Sequence, residues 1–366
     1  MTTNANTRAL HALGQSLWID NITRDMLADG TLARYIDELS ITGLTSNPTI
    51  FEHAIGHGEA YDEQIAALTR AGKSGEDLFF ALAEQDLAQA ADLFRPAHQA
   101  SGGVDGWVSL EVDPRLAYDA KKTAAEAKRL HDLVDRPNVF IKIPGTPAGV
   151  KAIEESIFAG VPINVTLLFS REQYLAVADA YQRALERRLA AGLDLNVASV
   201  ASLFVSRWDV AVKDQVPTEY RNRLGIAIAK RTYKAYRELL AAPRWVRLAA
   251  AGARPQRMLW ASTGMKDPEA RDTRYVEALA APDTIDTIPD KTLLAFADHG
   301  KVGAVLPVDG GDAEAEIAEF RRLGVDIDAL AAQLQKEGGD SFRKSWASLL
   351  SGIGEKSGRL ATASSR

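Results

Sequence analysis

Short apolar runs alternate along the chain with longer stretches of helical spacing. The runs are "SLWID" (16–20), "TGLTSN" (42–47), "GWVSLEVD" (106–113), "NVFIKIP" (138–144), "INVTLLF" (163–169), "VASVASLFV" (197–205), "RMLWAST" (257–263) and "TIDTIP" (284–289). Between them lie segments such as "PRLAYDAKKTAAEAKRLHDLV" and "REQYLAVADAYQRALERRLAAG", whose apolar positions recur with the period of a helix. Strand–helix alternation predicts parallel strands joined by crossover helices. Eight such units over this length fit an α/β fold of the (β/α)8 TIM barrel type better than an open sheet. The expected organisation is a single domain over 1–366, with barrel strands within about 16–289. The long gap after the second strand reads as two or three helices over about 49–98, and a helical extension is expected over about 310–355. Helical material is expected to about Leu350, followed by a polar tail, "KSGRLATASSR". No interdomain linker and no internal repeat is apparent.

A barrel makes demands on each strand. Side chains alternate between the helix-facing side and the interior. In "VFIKI", Val139, Ile141 and Ile143 share one face and suit packing under helices, so Phe140 and Lys142 point inward. Active sites in this architecture sit at the C-terminal ends of the strands, and polar residues gather there. Asp20 ends the first run. Thr45 and Asn47 share a face at the end of the second. Glu111 lies late in the third, with Ser109 and Asp113 on its face. Asn164 and Thr166 share a face of the fifth. Ser202 lies late in the sixth with Arg207 after it, and Ser262 and Thr263 end the seventh. A buried polar group without a partner costs about 1–3 kcal/mol, so this many together points to a polar site.

Lys142, in the middle of a core strand, has two readings. It is a structural lysine, paired with Asp20 or Glu111 or reaching to the barrel mouth, or it is a nucleophile. Nearly every lysine is protonated at neutral pH. Burial in an apolar wall disfavours the ammonium and releases an amine that adds to a ketone to form a Schiff base. Asp20 and Glu111 suit the second reading, because Schiff-base chemistry needs proton transfers at the carbinolamine hydroxyl and at a substrate hydroxyl. A plain buried salt bridge explains the same residues.

Composition narrows the partners. The chain has 366 residues, 46% hydrophobic and 25% charged, with a formal net charge of -6, which gives no general attraction for nucleic acid or an anionic membrane. Any anionic substrate must be held by local cations. With no cysteine, disulfides, thiolate metal sites and cysteine nucleophiles are excluded. The N-terminus lacks the apolar core of a signal peptide, and no stretch approaches the roughly 18 apolar residues of a membrane helix. The cytoplasm is the expected compartment, and the sequons at Asn21 and Asn164 are then incidental.

The motifs "LTSNPTIF", "SLEVDPRLAYD", "NVFIKIPGTPAGVKAIEE", "INVTLLFS" and "ASLFVSRWD", in register from about Leu13 to Asp209 and continuing more weakly through "WASTG", resemble the transaldolase family. Length and the insert after the second strand resemble its longer bacterial subgroup. The resemblance implies a Schiff-base (β/α)8 barrel of the non-oxidative pentose phosphate pathway. Such an enzyme moves a dihydroxyacetone unit from sedoheptulose 7-phosphate or fructose 6-phosphate to glyceraldehyde 3-phosphate or erythrose 4-phosphate. It implies Lys142 as the Schiff-base lysine, Asp20 as the group taking the C4 hydroxyl proton, Glu111 as the acid/base acting through a water, and Thr166 as a partner of that water. Asn47 and Asn164 match groups holding the dihydroxyacetone hydroxyls, Ser202 a serine beside that fragment, and Ser262 the serine of the seventh strand. Thr45, on the face of Asn47, is counted with the substrate-binding residues. Arg207 matches a phosphate-binding arginine, whose forked donors suit phosphate oxygens. The protonated imine stores the electrons of the broken bond as an enamine, so neither a metal nor an organic cofactor is expected. A monomer and a homodimer are both compatible.

The chain departs from the family pattern at the seventh strand, where many members carry a second phosphate-binding arginine. Here "ASTGMKDP" follows Trp260, and Lys266 is the first cation, either a replacement for that arginine or a solvated surface lysine. Other signals carry less. "AGKSGED" lacks the first glycine of a phosphate-binding loop, "PGTPAG" reads as a strand-to-helix turn, and His53 and His57 read as a loop, not a zinc site. Two alternatives to the transferase stand beside it: a Schiff-base aldolase of the fructose 6-phosphate type that releases dihydroxyacetone, and a non-catalytic barrel that binds sugar phosphate.

Overall fold

A computed structural model describes residues 3–56 and 58–363. Eight parallel strands form a closed barrel: β1 (Gln15–Ile19), β2 (Ile41–Thr45), β3 (Trp107–Glu111), β4 (Val139–Pro144), β5 (Ile163–Leu168), β6 (Ser199–Phe204), β7 (Arg257–Ala261) and β8 (Thr284–Ile288). The strands follow chain order around the barrel, and β8 pairs with β1 from Gln15↔Thr284 to Ile19↔Ile288. The eight apolar runs are these strands. They read as nearly continuous apolar segments because a parallel barrel strand is covered on both faces.

Alternation places the interior as expected. The Phe140 ring stacks on Trp107, with centroids 4.1 Å apart, and lies 6.1 Å from Trp18. These three aromatics fill the barrel below Lys142. Gly43 makes room for them, since a Cβ there would lie 2.6 Å from the Trp18 indole. On the outer face, Val139, Ile141 and Ile143 are fully buried against helices.

The insert after β2 forms three helices among the described residues, Pro48–Gly56, Asp62–Arg70 and Gly75–Ala100. They are the platform for a 37-residue C-terminal helix, Ile327–Ala363. Trp346 of that helix packs against Phe79 and Phe80 at ring distances of 5.0 and 5.7 Å. The expected polar tail after Leu350 is helical through Ala363, because it too is anchored. Ile353 is buried. Lys356 donates to the carbonyls of Ile55 (3.2 Å) and Gly58 (2.7 Å) and pairs with Asp62 at 2.6 Å. The buried lysine thus closes the C-terminal end of the first insert helix, where carbonyls lack intrahelical donors.

Nearer its start, the same helix crosses the C-terminal ends of the strands. Gln335 Nε2 donates to the carbonyls of Gly145 and Leu167, both at 3.0 Å. Leu167 has φ +59°. A side chain at Gly338 would lie 2.8 Å from Leu167 and 3.1 Å from the Arg207 guanidinium. Glycine weakens a helix by about 1 kcal/mol, but here it lets the helix lie directly on the barrel mouth.

Candidate active site

Register sets three chemical groups side by side. Glu111 is paired with Lys142 across β3–β4, and Lys142 with Asn164 across β4–β5. The Lys142 ammonium is buried. Its Nζ donates to the Ser46 carbonyl at 2.9 Å and lies 3.2 Å from Glu111 Oε2. Ser46 is held in turn by its hydroxyl, which donates to the Ser109 carbonyl at 2.7 Å.

Lys142 opens into a cavity of about 120 Å³ at the C-terminal end of the barrel. Asp20, Thr45, Asn47, Thr166, Ser202, Arg207, Ser262 and Lys266 line it as well. Of the residues expected from the sequence, Glu111 and Asn164 stand behind this wall. Glu111 reaches the cavity through Lys142. Asn164 is fully buried; its Nδ2 donates to Ser109 Oγ at 3.2 Å and its Oδ1 accepts from Ser202 Oγ at 2.7 Å. Asn164 therefore fixes the Ser202 hydroxyl.

The electrostatics separate the two carboxyls from ordinary ones. Burial raises the pKa of Asp20; Lys142, the hydrogen bond from Thr45 and the more distant Lys266 pull it back, and Asp290 adds to the rise. Burial likewise raises Glu111, again opposed by Lys142. Thr45 Oγ1 donates to Asp20 Oδ1 at 2.8 Å and lies 2.7 Å from the Thr287 hydroxyl. Glu111 Oε1 and Thr166 Oγ1 are buried without a hydrogen-bond partner among the described residues, while Glu111 Oε2 faces Lys142; Thr166 lines the cavity and can bond to water or substrate. Asn47 Oδ1 accepts from the Ile50 amide at 3.1 Å, which caps the first insert helix and orients the side chain at the cavity rim.

Arg207 lies between the rings of Phe204 and Phe342, its guanidinium carbon 5.1 and 6.0 Å from their centroids. It makes no ion pair among the described residues, and burial lowers its pKa. A stacked, unpaired guanidinium at a cavity mouth suits an incoming anion. Lys266 is exposed and lines the same cavity from the loop after the neighbouring strand β7. Ser262 has φ +57° and its Oγ lies 2.8 Å from Ser206 Oγ. Phe204, Thr287, Pro289 and Phe342 also line the cavity and were missed by the strand-end reading. Thr287 was visible by alternation in "TIDTIP". Phe342 comes from the C-terminal helix and has no local signature.

No group of three or more metal-ligating residues occurs among the described residues; His57 lies outside them. The turn after β4 is filled by the chain itself, with Thr146 Oγ1 accepting from the Gly149 amide at 3.0 Å. Among the described residues no helix is long and apolar enough to cross a membrane.

Comparison with known proteins agrees with this geometry. The model of the transaldolase/fructose-6-phosphate aldolase family matches residues 17–353. A transaldolase of Thiobacillus denitrificans is 48% identical over 356 residues, covering 95% of this chain and 99% of that relative. A transaldolase of Parafrankia sp. is 47% identical, covering 96% and 98%, and transaldolase 2 of Streptomyces coelicolor is 43% identical, covering 95% and 96%. The chain belongs to the transaldolase/fructose-6-phosphate aldolase family, on its transaldolase side.

Proposed function

We propose that the chain is a transferase that passes a dihydroxyacetone unit from a ketose phosphate to an aldose phosphate through a Schiff base on Lys142. The observation that carries this reading is the buried Nζ at a strand end, 3.2 Å from Glu111 and opening into a cavity shared with Asp20.

Glu111, whose pKa burial raises, accepts the ammonium proton and leaves a neutral amine. The Nζ lone pair attacks the C2 carbonyl of the ketose, and the oxygen becomes a carbinolamine hydroxyl. That hydroxyl departs as water with the proton returned by Glu111, through a water held by Thr166, and an iminium remains. The Asp20 carboxylate then removes the proton of the C4 hydroxyl. The C3–C4 bond breaks, its electrons pass into the iminium as an enamine, and C4 leaves as the carbonyl of the first aldose. The enamine attacks the aldehyde of the second aldose, Asp20 returns its proton to the new alkoxide, and hydrolysis frees Lys142. Asn47 and Ser202, the latter oriented by Asn164, would hold the hydroxyls of the three-carbon unit, with Thr45 setting the Asp20 carboxylate. Arg207 would bind the phosphate; Lys266 and Ser262, from the loop after the neighbouring strand β7, would complete its site. Because Arg207 is stacked and Lys266 is exposed, Arg207 carries most of this recognition.

Fructose 6-phosphate and borohydride test the reading. Reduction should leave a three-carbon adduct on Lys142, and an active preparation with unmodified Lys142 would overturn it. The family also includes fructose-6-phosphate aldolases, so turnover should be measured with and without erythrose 4-phosphate. Strong acceptor dependence supports transfer; equal turnover without acceptor supports the aldolase.

A further inference from the structure

A second cavity, of about 450 Å³, opens at the other end of the barrel. It lies where the strands begin: Ser16 of β1, Trp107 of β3, Ser199 of β6 and Arg257 of β7 line it. The aromatic layer of Trp107 and Phe140 forms its floor, so the two cavities are separated by packed rings. Its size falls in the range of small-molecule sites, about 300–1,000 Å³.

Most of its wall is apolar, with Trp107, Phe140, Val200, Leu240 and Trp245 among the lining residues. The polar groups are largely satisfied. Arg257 pairs with Asp105 at 3.2 Å and donates to Ser16 Oγ and the Thr284 carbonyl. Asp283 pairs with Arg237 at 2.7 Å. Two exceptions stand out: Gln15, whose Oε1 is buried without a hydrogen-bond partner among the described residues, and Arg254. Its Nη2 donates to the Gly102 carbonyl at 2.6 Å, and it makes no ion pair among the described residues. The neighbouring Gly103 has φ +83°, and a Cβ there would lie 3.5 Å from Arg254 Nη1, so the loop passes closely along the guanidinium. Trp107 is fixed edge-on by His98 at 4.7 Å, and its Nε1 donates to the Gly103 carbonyl at 3.1 Å. The cleft thus offers a rigid aromatic floor and one uncompensated positive fork.

We propose that this cleft is a binding site for a flat, largely apolar mono-anion such as an aromatic carboxylate, with the acid group on Arg254 and the ring system against the apolar wall around Leu240 and Trp245. A sugar phosphate does not fit this chemistry, because its many hydroxyls would face an apolar wall and lose their hydrogen bonds to water. An anion on a forked guanidinium keeps charge-assisted hydrogen bonds while the ring buries apolar surface. The site is independent of the assignments at Lys142.

The test is a fluorescence titration of the full chain with anilinonaphthalene sulfonate and with its neutral parent, anilinonaphthalene. Saturable sulfonate binding is expected, undisturbed by saturating fructose 6-phosphate. Arg254→Gln should weaken the sulfonate about tenfold or more and leave the neutral compound unchanged. Val104→Glu, at a rim position 47% exposed, should do the same by repulsion and is a change that folding tolerates. Both variants should keep wild-type turnover. Wild-type sulfonate affinity in either variant, absence of saturable binding, or displacement by fructose 6-phosphate would overturn the proposal.

Discussion

Asp286 is buried without a charge partner among the described residues, and that makes a measurable pH dependence. It lies on the helix-facing side of β8 with no solvent exposure. One oxygen accepts from the Thr263 hydroxyl at 2.8 Å; the other has no partner among the described residues. Burial pushes its pKa from 3.8 to about 7, with the Thr263 bond opposing the rise. The folded chain therefore holds a proton there that the unfolded chain has lost between about pH 4 and pH 7. Stability from this group is present at the acid end of that window, declines as pH rises, and is gone above about pH 7. A shift of about three units corresponds to about 4 kcal/mol. Unfolding entropy of about 2.1 cal/mol/K per residue over 366 residues converts this to about 5 °C in melting temperature. Asp286→Asn is neutral at every pH, while all other carboxyls titrate alike in both proteins. Calorimetric melting temperatures of variant and wild type, taken at one scan rate, should therefore diverge by about 5 °C in favour of Asn between pH 4.5 and pH 8. The constant offset from the amide's own hydrogen bonding cancels in that comparison. A difference that stays flat with pH would refute the reasoning.

Three further outcomes are expected. Asp20→Asn should lower kcat by about 10²–10⁴ while borohydride still traps an adduct on Lys142, as mass spectrometry of the digest would show. The acid limb of the kcat profile should sit above the range of an exposed carboxylate, because burial raises Asp20; Thr45→Val, which removes a bond favouring the ionised form, should move that limb to still higher pH. Trp346→Ala, at a site 2% exposed, should destabilise the chain by about 3–5 kcal/mol, read as a lower thermal midpoint.

The barrel was legible because a parallel strand covered on both faces leaves an apolar run that nothing else on the chain imitates. Lys142 was legible for the same reason, as a charge inside such a run. Alternation also put Phe140 beneath it, and the ring does lie in the interior layer with Trp18 and Trp107. What alternation cannot supply is register. Asn164 points inward as expected, yet its two ends are taken by Ser109 and Ser202, a fact set by three strands at once. The C-terminal helix shows the same limit. Its apolar period is local, but the Phe79 and Phe80 surface that receives Trp346 lies in the insert, over 260 residues earlier. The stretch after Leu350 looked like a tail because its anchors, the Lys356 bonds to Ile55, Gly58 and Asp62, are likewise remote.

The order in which these parts leave the ribosome has a consequence. The strand set is complete at Ile288, but Phe342, which lines the cavity, Gln335 and Gly338, which seat its helix on the strand ends, and Lys356, which anchors that helix, are all made later. Until that helix is made, the C-terminal ends of the strands lack the side chains that cover them in the full chain. Closure of the cavity is thus the last event of synthesis, although Lys142 and Asp20, which it covers, belong to the first half of the chain.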